Sequence, residues 1–94
     1  MITCFMFGNY TTESLKKISP DRTKQAVTVL EGLDGKVRSM YALLGDQDLI
    51  FIVDFPDVNT AIKASVALTN LIGVPFSTSP AVTVEEFDAM MEDL

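Results

Sequence analysis

Apolar positions in this chain recur with a period of two in some stretches and of three to four in others, and the switches fall at Gly, Pro and Asp/Asn/Ser/Thr clusters. Ile2 to Tyr10 reads as a first strand, rich in Phe and ended by Gly8-Asn9 and Thr11-Thr12. Leu15, Ile18, the stem of Arg22, Ala26, Leu30 and Leu33 then follow a helical stripe, interrupted by Ser19-Pro20-Asp21. Pro20 suits a first helical position with Ser19 as N-cap, which predicts a short turn of helix and then a main helix from Pro20 to Leu33, stopped by Gly32 and Gly35. Lys36 to Leu44 reads as a second strand, with Val37, Ser39, Tyr41 and Leu43 on one face and Arg38, Met40, Ala42 and Leu44 on the other. A hairpin turn over Gly45 to Asp48 returns the chain as a third strand from Leu49 to Phe55.

Asp57, after Pro56, is a good N-cap for a helix from Val58 to Ile72 that buries Val58, Ala61, Ile62, Ser65, Leu68 and Ile72 and closes at Gly73. Val74 to Ala81, with Pro75 and Pro80, predicts an edge strand. Thr83-Val84-Glu85-Glu86 reads as a capping box before a short helix with Phe87, Met91 and Leu94 on one stripe. The order is β-α-β-β-α-β-α. It predicts a single α+β domain over residues 1–94, the ferredoxin-like split βαβ arrangement with an antiparallel sheet and one extra C-terminal helix.

In that topology both crossing helices cover one face of the sheet, and the other should turn polar. The third strand does not oblige. Leu49, Phe51, Val53 and Phe55 suit the helices, but the opposite side sets Ile50 and Ile52 between Asp48 and Asp54. Cys4 and Met6 of the first strand, with Tyr41 and Leu43 of the second, are expected to join the isoleucines on the open face. Covering a few hundred Å² of such surface at about 25 cal/mol per Å² is worth several kcal/mol to a small domain. The expected cover is the same face of a second copy, giving a homodimer or higher homo-oligomer; the alternative cover is the C-terminal helix folding back.

Composition narrows the function without naming it. Seven basic against 13 acidic residues give a net charge of −6, which works against binding to nucleic acid or to an anionic membrane surface. Lys16, Lys17, Arg22 and Lys24 fit the solvated side of a helix. There is no His, the usual general base near neutral pH, and the lone Cys4 has no basic neighbour in sequence to activate it. No run approaches the ~20 apolar residues that span a bilayer, and the N-terminus lacks the marks of a leader peptide. A soluble cytoplasmic protein without a cofactor is the expectation.

Asp46, Asp48, Asp54 and Asp57 crowd one segment, but their spacing fits turn and capping chemistry better than a cation site. Asp54 is the exception, a carboxylate on the apolar open face. With Ser39 and Tyr41 it forms the candidate ligand-binding group, and Asn9 and Tyr10 are the candidates for its mouth.

Leu44-Gly45-Asp46-Gln47-Asp48, followed by the apolar strand and Pro56-Asp57, resembles the GYD-domain family, whose signature is Gly-x-Tyr-Asp-like. Ser19-Pro20-Asp21-Arg22 and Thr83-Val84-Glu85-Glu86-Phe87 are similar to that family's helix start and C-terminal segment. The resemblance carries over Gly45 and Asp48, with Gln47 where the signature has Tyr. It implies a ferredoxin-like fold of the dimeric α/β-barrel type and no particular reaction. Three functions follow: a non-catalytic ligand-binding or regulatory domain, first; a cofactor-independent oxygenase- or isomerase-like enzyme; or a structural module that binds a larger partner.

Overall fold

The computed structural model describes all 94 residues. The elements are β1 (Ile2–Gly8), α1 (Thr12–Leu15), α2 (Pro20–Gly32), β2 (Lys36–Ala42), β3 (Leu49–Phe55), α3 (Val58–Ile72), β4 (Phe76–Ala81) and α4 (Val84–Met91). The four strands form one antiparallel sheet in the order β2-β3-β1-β4. This is the ferredoxin-like α+β arrangement with an added C-terminal helix. No helix is long and apolar enough to cross a membrane.

Capping follows the side chains that the sequence offers. Ser19, Asp57 and Thr83 accept from the backbone N–H of Arg22, Thr60 and Glu86 respectively, three residues on in each case. A reciprocal capping box forms at α1, between Thr11 and Ser14, rather than at Thr83. Gly73 ends α3 in the left-handed region at φ 73°, as expected. The stop after α2 works differently. Asp34, not a glycine, takes the left-handed conformation at φ 61°. Gly35 serves by its lack of a side chain, since a Cβ there would lie 2.7 Å from the Leu30 carbonyl oxygen and 2.8 Å from the Phe55 ring.

The core lies between the sheet and the pair α2 and α3. Phe51, Val53 and Phe55 of β3 meet Ala26 and Leu30 of α2 and Ala61, Ala64, Leu68 and Ile72 of α3. The buried stripe of α3 thus sits one position round from the expected one, leaving Val58 and Ile62 exposed. Small alanines face the sheet, which lets the helix approach closely.

Two phase corrections follow from the sheet. Cys4 and Met6 are fully buried under the helices, not on the open face. Phe5 and Phe7 take their place there, paired with Ile52 and Ile50. β2 carries a register shift between Val37 and Ser39, so Val37 pairs with Val53 and packs against the core, while Ser39 and Tyr41 pair with Ile52 and Ile50. Leu43 lies beyond the end of β2 in the hairpin, where its N–H donates to the Asp48 carbonyl at 2.8 Å. The open face is therefore apolar at its centre, through Phe5, Phe7, Ile50 and Ile52.

Candidate functional site

The residues grouped from sequence divide between two ends of the sheet. Ser39, Tyr41 and Asp54 do share the open face through their pairing on β3. Asp54, however, lies four residues along β3 from Ile50, the partner of Tyr41, which is about 13 Å at ~3.3 Å per strand residue. They do not converge on one ligand.

At the first end, Asp54 is held by its neighbours. Its Oδ1 accepts from the Thr3 hydroxyl at 2.6 Å and its Oδ2 lies 3.6 Å from the Arg38 guanidinium. The charge that seemed unaccompanied in sequence has both a donor and a counter-ion. A shallow groove of about 570 Å³ runs past this end, bordered by Met1, Thr3, Phe5, Arg38, Ile52 and the start of α4. Burial pushes the neighbouring Cys4 thiol above its ordinary value, and the Asp54 charge adds to the shift, so the sulfur is a poor nucleophile.

At the other end, the chain between β1 and α2 builds a cleft of about 240 Å³ against the strand ends, on the helix side of the sheet. Tyr10 is fixed there through its backbone: its N–H donates to the Asp48 carboxylate at 2.8 Å, and the Asp48 N–H donates to the Gly8 carbonyl at 3.0 Å. Asp48 thus ties the hairpin to the end of β1. The Arg22 guanidinium lies 5.7 Å from the centroid of the Tyr10 ring and donates to the Ser14 carbonyl at 2.8 Å. Ile18, Met40, Leu49 and Phe51 wall the cleft, and Tyr41 borders it. Asn9 is exposed and does not line it.

Arg22 is the residue that sequence reasoning passed over, having placed its head group among solvated lysines. Its position on the apolar stripe with Ile18, Ala26 and Leu30 was the available signal. The cleft's polar groups are a guanidinium and the hydroxyls of Tyr10, Ser19, Thr23 and Tyr41. Such a set donates hydrogen bonds to acceptor oxygens. Gly45 adopts φ 133° at the hairpin tip. No group of three His, Cys, Asp or Glu side chains is arranged to hold a metal ion.

Residues 2–91 match the GYD domain family model, and the chain belongs to that family. No curated protein matches it. Among solved structures, it is similar to the leucine response regulatory protein of Mycobacterium tuberculosis, at 13% identity and a TM-score of 0.59 over 87% of this chain and 51% of that one. It is also similar to an AsnC family transcriptional regulator from Agrobacterium tumefaciens, at 19% identity and a TM-score of 0.60 over 87% of this chain and 50% of that one. This chain spans about half the length of each of those proteins. At these identities the likeness shows a common fold.

Proposed function

We propose that this GYD-domain chain is a single cytoplasmic domain over residues 1–94 that assembles as a homo-oligomer through its open sheet face and binds a small ligand without transforming it. The observation that carries the binding reading is the cleft at Tyr10 and Arg22, mostly apolar in its lining and carrying several hydrogen-bond donors. Its volume of about 240 Å³ lies just below the ~300–1,000 Å³ of drug-sized sites. That size and chemistry fit a small amphiphilic acid, its apolar body along Ile18, Met40 and Phe51 and its carboxylate toward Arg22. The titratable side chains of the lining are Tyr10, Arg22 and Tyr41, which favours holding a ligand over shuttling its protons. The solved regulators of like fold are named as transcriptional or response regulators, and a regulatory use of such a binding event is in keeping with them.

Titration of a panel of short aliphatic and aromatic carboxylates, followed by amide chemical shifts, tests the reading. Shifts confined to residues around Tyr10, Arg22 and Met40, and lost in an Arg22→Met variant, support it. Binding that survives Arg22→Met unchanged, or turnover of a bound acid, overturns it. The homo-oligomer is tested separately: a monomer by sedimentation at micromolar concentration removes that half of the proposal.

A further inference from the structure

The last helix has nothing of its own chain to pack on. No residue of α4 is buried. Yet Val84, Phe87, Met91 and Leu94 recur at spacings of three and four, the pattern of a helix with a partner, and they are 74%, 50%, 38% and 95% exposed. Eight residues fall short of the ~12–15 that let an isolated helix persist in water. Its persistence calls for packing against another surface.

The direction of α4 points to that surface. Only Val82 and Thr83 separate it from β4, and it leaves on the side of the open face, where Thr83 and Glu86 border the same groove as Phe5, Arg38 and Ile52. It does not turn back over that face. The radius of gyration is 14.3 Å, against the about 12.4 Å of a compact domain of this length. The molecule measures 50 Å along its longest axis and 18 Å along its shortest.

Charge supplies the complement. Every ionisable side chain on and after α4 is acidic: Glu85, Glu86, Asp88, Glu92 and Asp93. The open face is apolar at its centre and carries Lys36 and Arg38 on β2, at the Asp54 end. One surface is an apolar stripe between carboxylates, the other an apolar face with a basic end. Each lacks a cover within the chain.

We propose that α4 is an exchanged arm: in a two-fold dimer, the α4 of each copy lies across the other copy's open sheet face, with its Phe87 and Met91 stripe on the apolar centre and its carboxylates beside the basic end. The inference rests on the homo-oligomer reading above and adds what closes it. Two-fold symmetry makes the contact twice, so one pair of unpartnered surfaces is covered in both copies at once.

Cross-linking between two full-length variants, each on a Cys4→Ala background, tests the arm. One carries Met91→Cys and the other Ser39→Cys, and they are mixed and oxidised. A disulfide between copies is expected in the mixture, well above the level from either variant alone. Phe87→Glu with Met91→Glu, both on exposed positions, should raise the dimer dissociation constant roughly tenfold or more while far-UV circular dichroism loses no more than the signal of this one short helix. A stable dimer whose dissociation constant ignores that double substitution and which forms no such disulfide overturns the arm and leaves the dimer standing. A variant carrying both cysteines that closes the disulfide within a single copy overturns it in favour of self-docking. Cross-linking of Met91→Cys to Ile62→Cys on the exposed side of α3, in preference to Ser39→Cys, overturns it in favour of a helix-to-helix contact. A wild-type monomer removes the arm together with the homo-oligomer reading.

Discussion

The Thr3 hydroxyl donates to the Asp54 carboxylate at 2.6 Å across the β1–β3 ladder, where the two residues are direct Cα partners. Arg38 lies on the other carboxylate oxygen at 3.6 Å, with its side chain 57% exposed against 16% for Asp54. The near-buried hydroxyl bond should matter more than the wet ion pair. Thr3→Val is expected to cost about 1–2 kcal/mol, and Arg38→Ala less than about 1 kcal/mol. Urea unfolding at one fixed protein concentration measures both, because subunit association would otherwise shift the midpoints. An Arg38→Ala loss larger than that of Thr3→Val contradicts the assignment.

Much of the architecture was legible in periodicity and caps. β3 and α3 start and end where Leu49, Phe55, Asp57 and Gly73 say they should. The face assignments of β1 and β2 were not legible, for physical reasons. Ile2, Cys4 and Met6 alternate with Thr3, Phe5 and Phe7, so both faces are apolar enough to be buried and alternation alone cannot set the phase. Register with β3 sets it instead. The irregularity at Arg38 reverses Val37 relative to Ser39 without any Gly or Pro to announce it. The candidate pocket failed for a related reason: sharing a face brought Tyr41 and Asp54 into one group, while their separation along the strand depends on tertiary pairing. Tyr10 was marked by its place at the end of β1, and Arg22 was hidden by its resemblance to the lysines around it.

Two glycines three positions apart at the end of α2 should respond with opposite sign. At Gly35 a methyl group would press on the Leu30 carbonyl oxygen and the Phe55 ring, whereas at Gly32 nothing lies within 4 Å. Gly35→Ala is expected to destabilise by about 1–3 kcal/mol through overpacking. Gly32→Ala, with no such obstacle in α2, is expected to stabilise by about 0.4–1 kcal/mol through the unfolded chain. Denaturation midpoints give both. Equal effects at the two positions would show that the close approach at Gly35 is relieved by small movements.

Cys4 should be chemically silent in the folded protein. Its side chain is fully buried, and burial, with the Asp54 charge second, raises its pKa. The sign follows: a folded-state value above the unfolded one keeps the thiol protonated, and the resulting stability is present below the unfolded pKa and lost as pH rises through the folded one. Reaction with an aromatic disulfide at mildly alkaline pH is therefore expected only at the rate of unfolding, and denaturant should release it at once. Labelling in native buffer at the rate of a free thiol would contradict the burial.

Asp57 should give the opposite pH dependence. Its carboxylate accepts from the Thr60 hydroxyl at 2.7 Å and the Thr60 N–H at 2.8 Å at the start of α3, and these bonds, with Lys63 a lesser influence, lower its pKa. A depressed folded value means that the unfolded chain binds the proton first as pH falls. The stabilisation is thus full above the ordinary carboxylate pKa and disappears as pH drops through the folded one. Asp57→Ala is expected to unfold more easily than wild type at about pH 6, with the gap narrowing toward about pH 2 as the wild-type carboxylate is neutralised. Asp57→Asn keeps a capping oxygen without a charge, so it should lie between the two at neutral pH and contribute no acid-side step. Thermal midpoints of the three proteins across that range decide the matter, and a wild-type-to-alanine gap that stays constant or widens on acidification would show that the charge of Asp57 plays no part in holding the start of α3.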